Sequence, residues 1–236
     1  RPQVWEPETL PVWRRYAKLR TQLFPYLIAA NATYRKTGMP VMRHHALTDP
    51  ADRRATAIED QYMFGPSLLV APVVNPGASD RRLYLPRGKW IDFWRALSYR
   101  ESDGGFSLGK ANLRGGGRQI KVKAPLEEMP LMIKAGSLLP LLPADTDTLA
   151  PYARAKFKGL DDNRRRLHLI ALPRGKSSAG YLERGRLISR EGKRSWSLTM
   201  RGAAKVKLDL EASTRTLKKP FTPRSVKLNG RSLKRG

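Results

Sequence analysis

The sequence predicts a mainly β chain that opens with an α/β segment. Three observations predict it. Apolar residues recur at helical spacing near the start, at Trp13, Tyr16, Leu19, Leu23, Leu27 and Ala30. A dense apolar run, Ser67 to Val74, follows Gly65-Pro66 and changes the texture of the chain. Beyond it, short runs of strand composition alternate with Gly- and Pro-bearing turns, the pattern of β-sandwiches.

The stripe predicts one long helix over Pro7 to Thr37, kinked or divided at Pro25, which lacks a backbone donor. Gly38 ends it, with Arg35 and Lys36 in the last turn. Pro40 to Ala46 reads as a strand, and a strand after a helix suits the βα units of parallel sheets and barrels. Asp49 to Asp52 reads as a turn and Arg53 to Phe64 as a short helix. Strands are then predicted at Ser67–Val74, Arg82–Leu85, Lys89–Trp94, Ile120–Val122, Pro130–Lys134 and Ser137–Leu142. The polar, Gly-rich stretch Arg100 to Gly117 reads as a long loop and Pro143 to Thr148 as a linker. The last strands are predicted at Arg165–Ala171, Gly180–Leu187, Ser195–Arg201, Lys205–Leu210 and Ser225–Leu228. Lys205–Leu210 alternates apolar and polar, so one face is buried and the other wet. Asn229-Gly230 is a hairpin-turn pair.

Composition narrows the function. Of 236 residues, 40% are apolar and 28% charged, ordinary for a folded protein. No run approaches the roughly 18 apolar residues of a membrane span. The absence of cysteine excludes disulfides and thiolate metal sites. The net charge of +26 is lopsided. Tyr152 to Gly236 holds 24 Lys/Arg against 6 Asp/Glu, a net of +18, and the residues before it hold 22 against 14, a net of +8. Such a field is either a solvated basic surface or an attractor of polyanions.

Few side chains offer chemistry. The three histidines, His44, His45 and His168, have no metal-ligand spacing. On a strand His44 and His45 point opposite ways, so at most one faces a given site. No phosphate-binding glycine loop and no nucleophile elbow is present. Glu59-Asp60 and Glu127-Glu128 are adjacent carboxylates, and adjacency alone does not aim two carboxyls at one point. Asp60 reads as an anchor for the turn after it. On a strand Trp90 and Trp94 share a face, either as core or as a platform for sugar rings; Trp5 and Trp13 carry the same ambiguity.

The order of several short motifs carries a resemblance. Leu23-Phe24-Pro25-Tyr26-Leu27, Thr37-Gly38-Met39-Pro40-Val41-Met42-Arg43, Asp60-Gln61-Tyr62-Met63-Phe64-Gly65, Leu68-Leu69-Val70-Ala71-Pro72-Val73, Tyr84-Leu85-Pro86 and Gly88-Lys89-Trp90-Ile91-Asp92-Phe93-Trp94 follow one another. Pro125-Leu126, Pro130 and Lys134-Ala135-Gly136-Ser137 complete the series. Over residues 23 to 142 this resembles glycoside hydrolase family 31, which includes α-glucosidases and α-xylosidases. The resemblance implies the last elements of a (β/α)₈ TIM barrel over residues 1–66, then a proximal β-sandwich over 67–144 and a distal one over 145–236. It also implies retaining hydrolysis by two aspartates on earlier barrel strands. Neither aspartate motif is matched here, so both are expected upstream of Arg1. The chain is then the C-terminal part of a longer enzyme and is expected to be inactive alone. Arg43, near the C-terminal barrel face where active sites gather, is the candidate substrate-binding residue. With it goes His44, where the family usually has proline. The family's acidic distal turn is reduced here to Gly180-Tyr181-Leu182-Glu183-Arg184-Gly185, which argues against calcium; no metal or cofactor is implied.

The expected partner of the whole enzyme is thus an oligo- or polysaccharide. A non-catalytic paralogue fits the same residues. A reading from another class is a basic module that binds polyanions, nucleic acid or an anionic cell-surface glycan. It would act through Lys156, Lys158, Arg164, Arg165 and Arg166, or through Lys218, Lys219, Arg231, Lys234 and Arg235. No aromatic platform is interleaved with these clusters.

Overall fold

The computed structural model describes residues 3–150, 156–202 and 205–233. The expected long helix is two: α1 (Leu10–Gln22) and α2 (Phe24–Thr37). The break falls at Leu23, and Pro25 stands in the first turn of α2, where a missing N–H leaves no helical bond unmade. Gly38 closes α2 in the left-handed conformation, its N–H bonded to Tyr34 O. Leu19, Leu23 and Ala30 of the stripe are buried, but Trp13 is 53% exposed.

The strand expected over Pro40–Ala46 shrinks to β1 (Met42–Arg43). The chain then turns into α3 (His45–Thr48), because the His44 side chain accepts the Ala46 N–H and caps that helix. Hence His44 and His45 do not alternate across a strand. The helix expected over Arg53–Phe64 stops after one turn as α4 (Arg53–Thr56), capped by Asp52. Its second half is β2 (Tyr62–Phe64), which folds back on β3 (Leu68–Val70) across Gly65. The pairing Phe64↔Leu68 outweighs the helical reading.

β4 (Asp80–Leu85) and β5 (Lys89–Asp92) follow as expected. Asp92 then accepts the Arg95 N–H and starts α5 (Phe93–Ala96), so Trp94 leaves the strand that carries Trp90 and the two do not share a strand face. The expected loop Arg100–Gly117 contains structure. β6 (Leu97–Arg100) and β7 (Gly105–Leu108) form a hairpin, and β8 (Arg114–Gly115) pairs with β5. β9 (Arg118–Lys123), β10 (Leu131–Lys134), β11 (Leu138–Leu141) and β12 (Arg166–Ala171) come next. The strand expected over Gly180–Leu187 is instead a turn between β13 (Lys176–Tyr181) and β14 (Gly185–Glu191). β15 (Trp196–Arg201), β16 (Lys207–Ala212), β17 (Lys227–Leu228) and β18 (Arg231–Ser232) complete the chain. Asn229 and Gly230 join the last two with φ of 51° and 81°, as a type I′ turn requires. In β16 the alternation holds through Leu208, which packs inward, while Leu210 is exposed.

The main sheet is antiparallel, in the order β1-β2-β3-β10-β5-β8. It is buried on both faces, which is why β3 and β10 read as unbroken apolar runs. Leu69, Trp90 and Met132 face the β4–β9 pair through Leu83, Leu85 and Val122. Leu68, Val70, Ile91, Leu131 and Ile133 face the other way, onto Leu19, Leu23 and Tyr26 of the helices and Phe106 of β7. A second sandwich packs β11-β12-β16 against β13-β14-β15 through Leu138, Leu167, Leu169, Tyr181 and Leu187. β11 belongs to both bodies: Leu138 enters the second core, while Leu139 and Leu141 enter the core shared with the helices. Among the described residues no helix is long and apolar enough to cross a membrane.

Tyr26 fastens this arrangement. Its buried hydroxyl donates to Phe64 O at 2.6 Å and accepts the Ser67 N–H at 3.0 Å. Gly65, between them, has φ of 62°, and a Cβ there would stand 2.3 Å from the Tyr26 oxygen. Gly65→Ala is therefore expected to cost about 2–4 kcal/mol, from left-handed strain plus overpacking. Tyr26→Phe is expected to cost about 1–3 kcal/mol, from two backbone groups left unpaired. Urea unfolding of both variants checks the order. Equal stability of Gly65→Ala and the parent would refute the close approach.

Candidate functional site

The two residues singled out from the sequence lie side by side, in different roles. Arg43 ends β1 and is only 7% exposed. Its Nε donates to Pro40 O at 2.7 Å. Burial lowers its pKa from the ordinary arginine value, and the nearby Tyr26 opposes that shift. Among the described residues no carboxylate stands within ion-pair distance of it. A buried cation without a counter-charge is costly.

His44 is exposed, yet both its ring nitrogens are occupied. Nδ1 accepts the Ala46 N–H at 3.1 Å and Nε2–H donates to Ile58 O at 2.9 Å. This fixes the Nε2–H tautomer and makes the ring a clip between α3 and the segment before β2. Its backbone, φ −63° and ψ 150°, is one that proline adopts without strain.

Beside them stands a network that no sequence signal exposed. His45 is fully buried. Its Nδ1–H donates to Asp49 Oδ2 at 3.4 Å, and its Nε2 accepts from Gln61 Nε2 at 2.8 Å. The Gln61 amide also donates to Tyr84 O and accepts the Tyr84 N–H, both at 2.8 Å, acting as an added rung on β4. The Tyr84 hydroxyl donates to both oxygens of Asp52, at 3.1 and 3.0 Å. Burial pushes the Asp52 carboxyl up, but hydrogen bonds from the Ala55 N–H, Tyr84 and the Arg54 N–H outweigh it and hold the pKa below the usual range. Burial, then the Asp52 hydrogen bonds and charge, raises the Tyr84 hydroxyl. Burial lowers the His45 pKa, against the opposing pull of Asp49. The ring is thus a neutral structural member linking α3, β2 and β4. The nearest signal in the sequence is the polar pair Asp60-Gln61 before an apolar strand.

The catalytic pair is expected upstream of Arg1, and Arg1 itself lies outside the described residues. The adjacent carboxylates within the chain do not stand in for that pair. Asp60 pairs with Arg81 at 2.7 Å, and its carbonyl accepts from the same guanidinium. It therefore braces the start of β4, and the turn at Gly65 is held by Tyr26. Glu128 pairs with Arg95. The tryptophans are structural as well. Trp90 is core, its Nε1–H on Pro86 O at 2.8 Å. Trp94 donates to Met129 O at 2.8 Å and is covered by the Arg15 guanidinium, 4.8 Å from the ring centre. Neither indole is open to a sugar ring. Trp5, at 74% exposed, and Met42 of β1, at 58%, are open. Among the described residues no group of three or more metal-ligating side chains converges.

The basic clusters part company too. Lys158 and Arg166 both pair with Asp145 at 2.7 Å, and Arg164 pairs with Asp161 at 2.6 Å, so two carboxylates answer three of the first cluster's five cations. In the second, Lys218, Lys219 and Arg231 are described, whereas Lys234 and Arg235 lie outside the described residues.

Residues 38–139 match the glycosyl hydrolase family 31 C-terminal domain. The chain is 37% identical over 127 residues to an isomaltosyltransferase of Sporosarcina globispora, covering 54% of this chain and 10% of that protein. It is 30% identical over 139 residues to an α-xylosidase of Saccharolobus solfataricus, covering 58% and 17%. It is 28% identical over 165 residues to α-glucosidase 2 of Bacillus thermoamyloliquefaciens, covering 70% and 18%. The matched regions are therefore less than a fifth of these relatives' lengths. Among solved structures, a family 31 dextranase of Flavobacterium johnsoniae superposes with a TM-score of 0.69 at 22% identity, over 99% of this chain and 28% of that one. A cycloalternan-forming enzyme of Listeria monocytogenes does so with 0.71 at 23%, over 97% and 20%. At that identity the likeness speaks for the fold.

Two outcomes follow from the histidines. His44→Pro is expected to change stability by less than about 1 kcal/mol, because the lost cap is offset by a stiffer unfolded chain. A loss of several kcal/mol in chemical denaturation would contradict the backbone reading. His45 has a folded pKa below its ordinary value of 6.5, so only the unfolded chain takes a proton just below that pH, and stability falls as pH falls from there. His45→Gln is expected to remove a slope of up to about 1.4 kcal/mol per pH unit below about pH 6.5. Superimposable stability–pH curves would show that His45 does not titrate differently on folding.

Proposed function

Through residues 38–139 the chain belongs to glycoside hydrolase family 31, and we propose that it forms the C-terminal, β-rich part of a retaining α-glycosidase acting on O-glycosyl bonds of α-glucoside-like substrates. In this reading residues 1–66 supply the last elements of a (β/α)₈ barrel. Residues 67–144 and 145–236 are the proximal and distal sandwiches that brace it. The two catalytic aspartates lie upstream of Arg1, outside these 236 residues. Retention places such carboxyls roughly 5–5.5 Å apart, and here Asp60 and Glu128 are committed to ion pairs.

The observation that carries the reading is the seat of Arg43. It ends β1, an edge strand of the antiparallel main sheet, and it is buried with no carboxylate within ion-pair distance among the described residues. The anion it awaits is a barrel carboxylate. His44 shapes the rim through its fixed ring. Exposed Trp5, Trp13 and Met42 support the same view, since they are the apolar surface that remaining barrel elements would cover.

A second role is favoured by the net charge of +18 from Tyr152 onward: binding of a polyanion by the distal part.

The 236-residue chain alone is expected to show no turnover of p-nitrophenyl α-glucoside or α-xyloside. A longer product that includes the aspartate-bearing barrel strands is expected to hydrolyse one of them with retention, read by NMR of the first-formed anomer. In that product Arg43→Met is expected to lower kcat/KM by roughly 10- to 150-fold, the worth of a charged hydrogen bond of about 1.5–3 kcal/mol. Turnover by the 236-residue chain, or inversion by the longer one, would overturn the proposal.

A further inference from the structure

We infer that the outer face of the β13–β14–β15 sheet is a docking site for a carboxylated polysaccharide chain. This rests on the polyanion-binding role proposed above and names its surface and ligand class; it does not depend on the glycosidase reading.

The argument starts from strand alternation. Ala179, Tyr181, Leu187, Leu198 and Met200 point into the second core, so their neighbours in sequence form the opposite face. The register sorts that face into three rows. Lys176 stands opposite Arg190, and Arg190 opposite Ser197. Ser178, Ile188 and Thr199 make the middle row. Gly180 stands opposite Arg186, and Arg186 opposite Arg201. All four cations are exposed. Among the described residues none of them has a carboxylate within ion-pair distance.

Two like-charged pairs thus sit directly cross-strand, Lys176 with Arg190 and Arg186 with Arg201. Like charges so placed destabilise a sheet. Nothing in the folding of these strands asks for them, because the inner face alone holds the sheet on its partner. Elsewhere in the same segment Asp145 answers Lys158 and Arg166, and Asp161 answers Arg164; what sets this face apart is that its cations stand directly cross-strand from one another. An external polyanion that reaches both pairs relieves both repulsions at once.

Geometry and chemistry then select the polyanion. The two charged rows are four residues apart, or about 13 Å at ~3.3 Å per residue. Between them lie the hydroxyls of Ser178 and Thr199, donors and acceptors for sugar hydroxyls. Arginine forks take carboxylates bidentately. No aromatic side chain lies on the face; Trp196 is turned inward, its Nε1–H on Ser189 Oγ at 2.8 Å. Single-stranded nucleic acid binds by stacking on such rings, so a glycan suits the face better. One side is bounded by α2, since a Cβ at Gly180 would come 3.0 Å from Ala29. The face is open toward β15.

The test titrates fluorescently labelled polygalacturonate into the 236-residue chain and follows anisotropy from about 50 mM salt upward. Labelled dextran, single-stranded DNA and duplex DNA run in parallel. Two face variants, Arg186→Gln/Arg201→Gln and Lys176→Gln/Arg190→Gln, are compared with Arg82→Gln/Arg114→Gln, which removes the same charge elsewhere. The face variants are expected to bind polygalacturonate roughly tenfold or more weakly, with the log–log salt slope reduced by about two. The control is expected to lose less than about twofold, and dextran to bind no variant. Removing a repelling pair leaves the Tm unchanged or higher, so lost binding is not lost fold. Three results overturn the proposal: an equal loss in the control, no saturable binding of polygalacturonate, or tighter binding of either DNA.

Discussion

The structure depends first on how the N-terminal helix pair is held against the sheets. The Tyr26 hydroxyl, far above its usual pKa because it is buried, bonds on both sides of the left-handed Gly65. The β2–β3 turn is thereby fixed to α2. The same helix pair reaches the other parts of the chain by backbone bonds. Gln22 O accepts the Leu142 N–H at 2.8 Å, and Pro25 O accepts the Leu182 N–H at 3.2 Å. The Gln22 side chain donates to Gly104 O at 2.7 Å in the β6–β7 turn. Lys18 donates to the carbonyls of Ala144 and Thr146, at 3.1 and 3.2 Å, so the segment expected to be a linker is tied down. One kinked pair of helices thus meets the first sheet, the second sandwich and the junction between them.

Sequence reasoning reads what is repetitive and misses what is single. The helix break at Pro25, the stop at Gly38, the strands at β4, β10, β11, β12 and β15 and the Asn229-Gly230 hairpin all announce themselves by period or turn chemistry. Two errors share one cause. Residues 40–46 and 89–94 each read as one element, and each is divided by a side chain capping a short helix: His44 and Asp92. A cap is one hydrogen bond by one residue, and it leaves no periodic trace. The hairpin hidden in the Gly-rich stretch is similar. Phe106 and Leu108 reach the core, but two apolar residues among polar neighbours are too short a pattern to announce a strand.

The candidate site is legible in part. Arg43 is found by resemblance, and its burial without a counter-charge gives that choice a physical content which the sequence could not. His44 stands out for departing from the family's usual proline, and its backbone resolves the departure: the position asks for φ near −63°, which proline supplies by its ring and histidine holds by two side-chain bonds. His45, passed over, does more structurally than either. A buried, neutral imidazole bridging Asp49 and Gln61 is a property of three segments meeting, and no one of them reports it alone.

Charge is legible in amount and not in place. Runs of basic letters point to residues 156–166, where carboxylates in fact answer most of the cations. The unanswered cations of the β13–β15 face are scattered in sequence, and strand register alone gathers them. Spacing of two along a strand hides a charged face from any scan for clusters, because every second letter belongs to the core. The inner face carries the folding free energy and lets the outer face bear a pattern that the fold itself does not favour. A surface that works against its own sheet calls for a reason outside the sheet, and negative charge is the one we propose.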